Sequence, residues 1–311
     1  KVPIAQLASI PKDLILYLAI AIVFAFASPV SKGLLLGEEK VVTVNLLLLG
    51  ETILKFIIGI IAIKMGGNIP LLILANSVPA ILSTVIVIPL LKYKQEKDVV
   101  IKNDWKEFIL MIISFFLLTT PFTVDLVLVN SDFRADYSSL SLLGKIIYFA
   151  CITTAGVMFA RLSNENDSKK QKKSLLIAVG LSTLIGIVLS LIFFFFGKTV
   201  ITLSVGESYL NINKYMGVFG LCMTGYSVVY MIANYFITRG TYSYIFVLLF
   251  ASILQIVLFS LRNDSLDIVV QNQIILYAIL TLLTIIFLLF NFKNIQRNEE
   301  TNNKRENKKD R

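Results

Sequence analysis

The chain is 311 residues long, 56% apolar and only 16% charged, with a formal net charge of +9 and a mean hydropathy of +0.79. A water-soluble domain keeps roughly a quarter of its residues charged, so this composition excludes one. His is absent altogether, which removes imidazole catalysis, His proton relays and His-based zinc ligation.

Apolar runs of about twenty residues recur from end to end, the length needed to cross ~30 Å of hydrocarbon. The apolar share is too high, and period-2 alternation too rare, for an outer-membrane barrel. The pattern predicts an all-α polytopic membrane protein. Its nine spans cover 13–30, 42–63, 70–91, 107–129, 139–161, 174–196, 214–237, 243–261 and 269–291.

The first span is expected to end at Ser31-Lys32-Gly33, which places Lys32 in a loop. The second carries Glu51 and Lys55, four apart on one helical face in the favourable acid-first order. This pair is either a self-neutralising contact facing the bundle interior or part of a polar cavity wall. Pro79, Pro89 and Pro121 should bend the third and fourth spans, with neighbouring helices re-satisfying the freed carbonyls. Asp125 lies late in the fourth span and Lys145 early in the antiparallel fifth. At ~1.5 Å per residue their depths are roughly 6 and 9 Å, which predicts that they meet. A charge at mid-membrane costs at least ~2.5–3.5 kcal/mol, so each embedded charge needs a partner or water. The pair reads as a structural stitch, or as a wet pocket in which Lys145 meets an anionic group that Asp125 holds or releases. Arg134, in the connecting turn, is a solvated charge or a second cation at the mouth.

The remaining polar candidates are Asn76, Asn130, Asn234, Gln255, Gln271 and Gln273, expected to bond between helices. Cys151 and Cys222 are expected to be free thiols inside spans. Phe193 to Phe196 read as interfacial or lipid-facing bulk.

Lys and Arg set the orientation. The loops after the odd-numbered spans, with the tail, hold 20 of the 29 bases, and the opposite side holds 7. The start is therefore expected outside and the tail inside. The first residue is Lys and no signal peptide precedes the first span, so an odd number of upstream spans is expected. A repeat of small-basic-Gly helix ends, Ser31-Lys32-Gly33 and Thr238-Arg239-Gly240, six spans apart, sets that number at three. The expected organisation is 1–106 as a partial first lobe, 107–292 as a six-helix second lobe, and 293–311 as a basic cytoplasmic tail. Lys169, Lys170, Lys172, Lys173 and the tail are expected at anionic headgroups rather than on nucleic acid.

One stretch matters as a whole: Thr120-Pro121-Phe122-Thr123-Val124-Asp125, Tyr137-Ser138, Gly144-Lys145-Ile146, Phe159-Ala160-Arg161-Leu162-Ser163 and Gly206-Glu207-Ser208-Tyr209. In order and spacing this resembles the second half of a polysaccharide-biosynthesis flippase of the multidrug, oligosaccharidyl-lipid and polysaccharide exporter superfamily. The resemblance covers 107–290 and, less closely, 13–91. Ala160 departs from it, because the family commonly has Pro there; a straighter fifth helix and altered gating follow. The resemblance implies two six-helix lobes, alternating access, and a cargo of oligosaccharide on a polyprenyl pyrophosphate, moved from the inner to the outer leaflet. It implies that Lys145, with Arg134, attracts the pyrophosphate while Asp125 tunes it.

The expected function is thus a lipid-linked oligosaccharide flippase in a prokaryotic cytoplasmic membrane. Its partners would be membrane lipids and polysaccharide-assembly glycosyltransferases or polymerase, with no cofactor. A cation-coupled multidrug exporter of the same superfamily is the alternative. An embedded glycosyltransferase or polymerase is disfavoured, because no sizeable loop carries paired carboxylates or several Arg, and no phosphate-cradling Gly loop, metal-spaced cluster or nucleophile–base pair is present.

Overall fold

The computed structural model describes residues 12–38, 40–67, 69–91, 105–164 and 168–309, without the side chains at 12–13, 155–164, 168–169 and 293–309. The loop bases at 92–102, the side chains of Ala160, Arg161 and Lys169, and those of the tail lie outside the described residues. Among the described residues there is no strand. The chain is an all-α polytopic membrane protein, with nine long helices among the described residues where nine spans are expected. They are α1 (Lys12–Gly37), α2 (Val41–Lys64), α3 (Ile69–Leu90), α4 (Trp105–Thr123), α6 (Arg134–Asn164), α7 (Ser168–Ser204), α8 (Met216–Thr238), α9 (Ile245–Leu261) and α10 (Leu266–Lys309), with the one-turn α5 (Asp125–Leu128) between α4 and α6. Eight have described stretches long and apolar enough to cross a membrane.

Three boundaries differ from the sequence-based ones, each for a physical reason. α1 runs on to Gly37, because Leu34-Leu35-Leu36 continue the apolar face beyond Lys32. Lys32 is therefore a buried helical residue and not a loop cation; the inner-side tally loses one base and keeps its sign. α7 continues to Ser204 through a kink at Phe196, beside Gly197, and a 3₁₀ segment (Glu207–Tyr215) follows. The expected loop at 197–213 is thus largely helical. The fourth span is broken into α4 and α5 after Pro121. Of the phenylalanine run, Phe194, Phe195 and Phe196 are exposed, whereas Phe193 turns into the core.

The chain divides into two compact units, Lys1–Ile101 and Lys102–Arg311. In the first, α3 packs against both α1 and α2, presenting the small residues Ala75, Ser77, Ala80 and Ser83 as its buried stripe. Small side chains let helix backbones approach where lipid gives no hydrophobic drive to associate. Lys40 Nζ donates to the Leu90 carbonyl at 2.6 Å, supplying a cation to the end of α3.

In the second unit α8 is the central helix. Its span is 67% buried, against 28–33% for the other described spans of that unit, and α4, α6, α7 and α10 all pack on it. Glycines set the close approaches. A Cβ at Gly144 would sit 2.6 Å from the Phe219 ring, and one at Gly220 would sit 3.3 Å from the Ser190 backbone. The 3₁₀ segment is tied to neighbouring helix ends by Asn211 to Asp136 (2.7 Å) and Lys214 to Asp267 (2.8 Å). Cys151 and Cys222 are both free.

Candidate functional site

The membrane-spanning helices carry two polar centres, one in each unit. The first is built on α1 and α2. Glu51, 8% exposed, forms ion pairs with Lys32 and, at 3.3 Å, with Lys55. Glu51 and Lys55 therefore do share a face and pair. The third member, Lys32, is one the loop assignment hid. Its ammonium also donates to Ser28 Oγ at 2.7 Å, and Ser28 Oγ lies 3.2 Å from Ser83 Oγ on α3. Two lysines and one glutamate leave one net positive charge. Lys32 is held inside, whereas the Lys55 side chain is 40% exposed. All three line a pocket of about 280 Å³, together with Asn76, Ser77 and Thr52. The signal for Lys32 was present in the sequence: it has leucines on one side, an apolar helix on the other, and Ser28 four residues before it.

The second centre surrounds the break in the fourth span. Regular helix ends at Thr123, two residues past Pro121, and the Pro121 carbonyl, freed by that break of its own helix partner, accepts hydrogen bonds from Gln255 Nε2 (3.2 Å), Gln273 Nε2 (3.0 Å) and the Tyr277 hydroxyl (3.0 Å). Neighbours thus re-satisfy the carbonyl, as backbone in hydrocarbon requires, and two of the expected interhelical amides do it. Of the others, Asn234 donates within α8 to Tyr230 O. The Asn130 backbone N–H, and not its side chain, donates to Asn263 Oδ1 at 3.4 Å, while Asn76 and Gln271 are exposed. With two amides still bonded to the same oxygen, Tyr277→Phe is expected to cost only about 0.6 kcal/mol, the average for an interhelical hydrogen bond in a membrane. A thermal-unfolding comparison in detergent checks this, and a loss several times larger would mean that the amides do not hold the carbonyl alone.

Asp125 opens α5 and is fully buried. One oxygen accepts from the Leu126 amide and the other from the Tyr137 hydroxyl, both at 2.9 Å. Lys145 does not meet it as the depth argument predicts. Among the described residues no ion pair within 4 Å joins Lys145 to Asp125. The reason is register: Tyr137 on α6 takes the carboxylate, and Lys145 lies eight residues on, roughly 12 Å along the helix. Its ammonium sits 4.6 Å from the centre of the Phe122 ring instead. Between them Ser141 Oγ is buried without a hydrogen bond. Arg134 is drawn to the turn, where its guanidinium donates to the Val129 carbonyl at 2.9 Å, closing the end of α5. The structure thus brings Glu51 and Lys55 together, adds Lys32, and separates Asp125, Lys145 and Arg134.

The Tyr137-Ser138 motif does not mark Tyr137 as the carboxylate's partner, because that role depends on how the break turns Asp125. Comparison with family models, with curated proteins and with solved structures finds no match to this chain.

Proposed function

We propose that this protein is a membrane transporter that flips a polyprenyl-pyrophosphate-linked oligosaccharide from the inner to the outer leaflet by alternating access. The setting would be a prokaryotic plasma membrane, with the C-terminus cytoplasmic and the assembly enzymes of a surface polysaccharide as partners. One observation carries the reading: a pocket lined by membrane-spanning helices has a net positive charge, with Lys55 as its accessible cation. A cation kept in a span is expensive unless it has a partner or water. Glu51 is already shared with Lys32, so Lys55 has capacity left for an anion. A phosphoryl group on a lipid is such an anion, and it would leave its polyprenyl tail in the bilayer.

The test is binding of bare polyprenyl pyrophosphate to the purified chain in nanodiscs. Lys55→Ala is expected to weaken binding about tenfold, equivalent to ~1.4 kcal/mol, with thermal stability kept. Lys55→Arg is expected to retain most of the affinity. Unchanged affinity in Lys55→Ala sinks the reading.

The cation-coupled multidrug exporter is favoured by one feature, the fully buried Asp125 carboxylate whose partners are a hydroxyl and an amide and not a base. A lipophilic cation that binds the chain and is lost in Asp125→Asn, with no binding of the pyrophosphate, would support it.

A further inference from the structure

The lysines that open α7 do not form one surface. Lys170 and Lys173 are exposed, whereas Lys172 shares the inward face of α7 with Leu175 and Ala178, both buried. The Lys172 ammonium lies 4.1 Å from the centre of the Phe292 ring on α10. Phe292 in turn meets Tyr235 of α8 edge-to-face, with centroids 6.4 Å apart at 82°, and both rings are buried. Tyr235 carries a second cation. The Arg239 guanidinium is 5.7 Å from that ring and donates to its hydroxyl at 3.0 Å. Lys172 stands near the start of the span Lys170–Ser204, Phe292 closes the span Leu266–Phe292, and Arg239 follows the span that ends at Thr238. The group therefore sits at headgroup depth.

We propose that this ring-held pair of cations is a site for a membrane phospholipid with two phosphates, of the diphosphatidylglycerol type. The site belongs to the second unit alone and stands apart from the flippase reading. A ring face holds a cation without cancelling its charge, and among the described residues no ion pair joins Lys172 to a carboxylate. Arg239 presents a planar fork of donors, the shape that grips a phosphate on two oxygens. Basic groups between helix ends at the membrane surface are where anionic headgroups are taken. The rings and the hydrogen bond fix both side chains before binding, so less rotamer freedom is lost than at an exposed lysine. Beyond Lys172 on α7, Leu176, Ile177 and Leu181 are exposed and offer a path for acyl chains. Two cations on separate rings suit phosphates spaced by a glycerol better than the directly joined phosphates of a pyrophosphate.

The test is a lipid titration of the purified chain in mild detergent, read as the rise in melting temperature that binding to the native state produces. Diphosphatidylglycerol is expected to bind about tenfold more tightly than phosphatidylglycerol at equal phosphate. Lys172→Ala and Arg239→Gln, each measured against its own lipid-free melting temperature, should lose that preference. Lys172→Arg should keep it. Lys173→Ala removes the same charge from the exposed side of α7 and should also keep it. Should Lys172→Ala not fold, Arg239→Gln carries the same comparison. A loss in Lys173→Ala equal to that in the other two variants would mean diffuse attraction and would sink the site, as would equal binding of the two phospholipids. A rise with inorganic phosphate as large as the lipid's would assign the cations to a free anion. Tighter binding of polyprenyl pyrophosphate than of diphosphatidylglycerol, lost in Arg239→Gln, would assign them to the cargo and overturn the proposal.

Discussion

Glu51→Ala is expected to lower the stability of the first unit by about 3–5 kcal/mol, the cost of leaving a buried charge without its partner. The stranded charge is Lys32. Its side chain is only 10% exposed and its other partner is a serine hydroxyl, which cannot neutralise it. Lys55 follows a different course, because its side chain is 40% exposed and can turn to water in the pocket. Glu51→Gln should fall between wild type and Ala, retaining an acceptor but no charge. Removing both partners is the decisive comparison, since an apolar pair of similar volume is often as stable as a buried ion pair. Lys32→Met in the Glu51→Ala background is therefore expected to recover much of the loss. Thermal unfolding in detergent reads these differences. If Glu51→Ala costs no more than Lys55→Ala, Lys32 is not dependent on Glu51 and the buried pair is misassigned.

The logic of that comparison explains what the sequence made legible. Helix number and approximate position follow from one-dimensional hydropathy, because each span must satisfy its own backbone in lipid; nine spans are expected and nine long helices are present among the described residues. The Glu51–Lys55 pair was equally legible, being local: a spacing of four places both groups on one face whatever else packs there. The signal for Lys32 pointed both ways: a basic residue beside glycine reads as a helix end, whereas the three leucines that follow continue the apolar helix. The relation of Asp125 to Lys145 was misjudged for a reason of a different kind. Depth in the membrane is readable from residue counts, but the azimuth of a carboxylate after a proline break is not. There the chain turned Asp125 onto Tyr137, one residue type among twelve tyrosines with nothing local to single it out. The role of Pro121 was half legible: a bend in the fourth span was foreseen, but the carbonyl that neighbours hold is Pro121's own, left open by the break before Asp125, and Gln255, Gln273 and Tyr277 come from α9 and α10, more than 130 residues away.

The tight helix contacts of the second unit yield the other large effect. Gly186→Ala is expected to destabilise the protein by about 1–3 kcal/mol, the cost of overpacking a filled interface, although alanine is the better helix former. A Cβ at Gly186 would fall within the Thr224 side chain, 2.8 Å from its β-carbon. Thr224 has little room to yield. It is 5% exposed on the central helix, its hydroxyl donates to the Gly220 carbonyl at 3.0 Å, and β-branching restricts its rotamers. Either the helices move apart, loosening the Ser182–Ser227 contact of 3.1 Å between α7 and α8, or Thr224 leaves its well. Gly180 supplies the control on the same helix, because a Cβ there meets nothing within 4 Å. Gly180→Ala should be neutral, or stabilising by up to ~1 kcal/mol through propensity alone. Opposite signs for two identical substitutions, six residues apart on α7, isolate packing from propensity. Thr224→Gly in the Gly186→Ala background removes the opposing β-carbon and should restore part of the loss. Equal melting shifts for the two alanine variants would mean that α7 and α8 do not approach as closely at Gly186 as this interface requires.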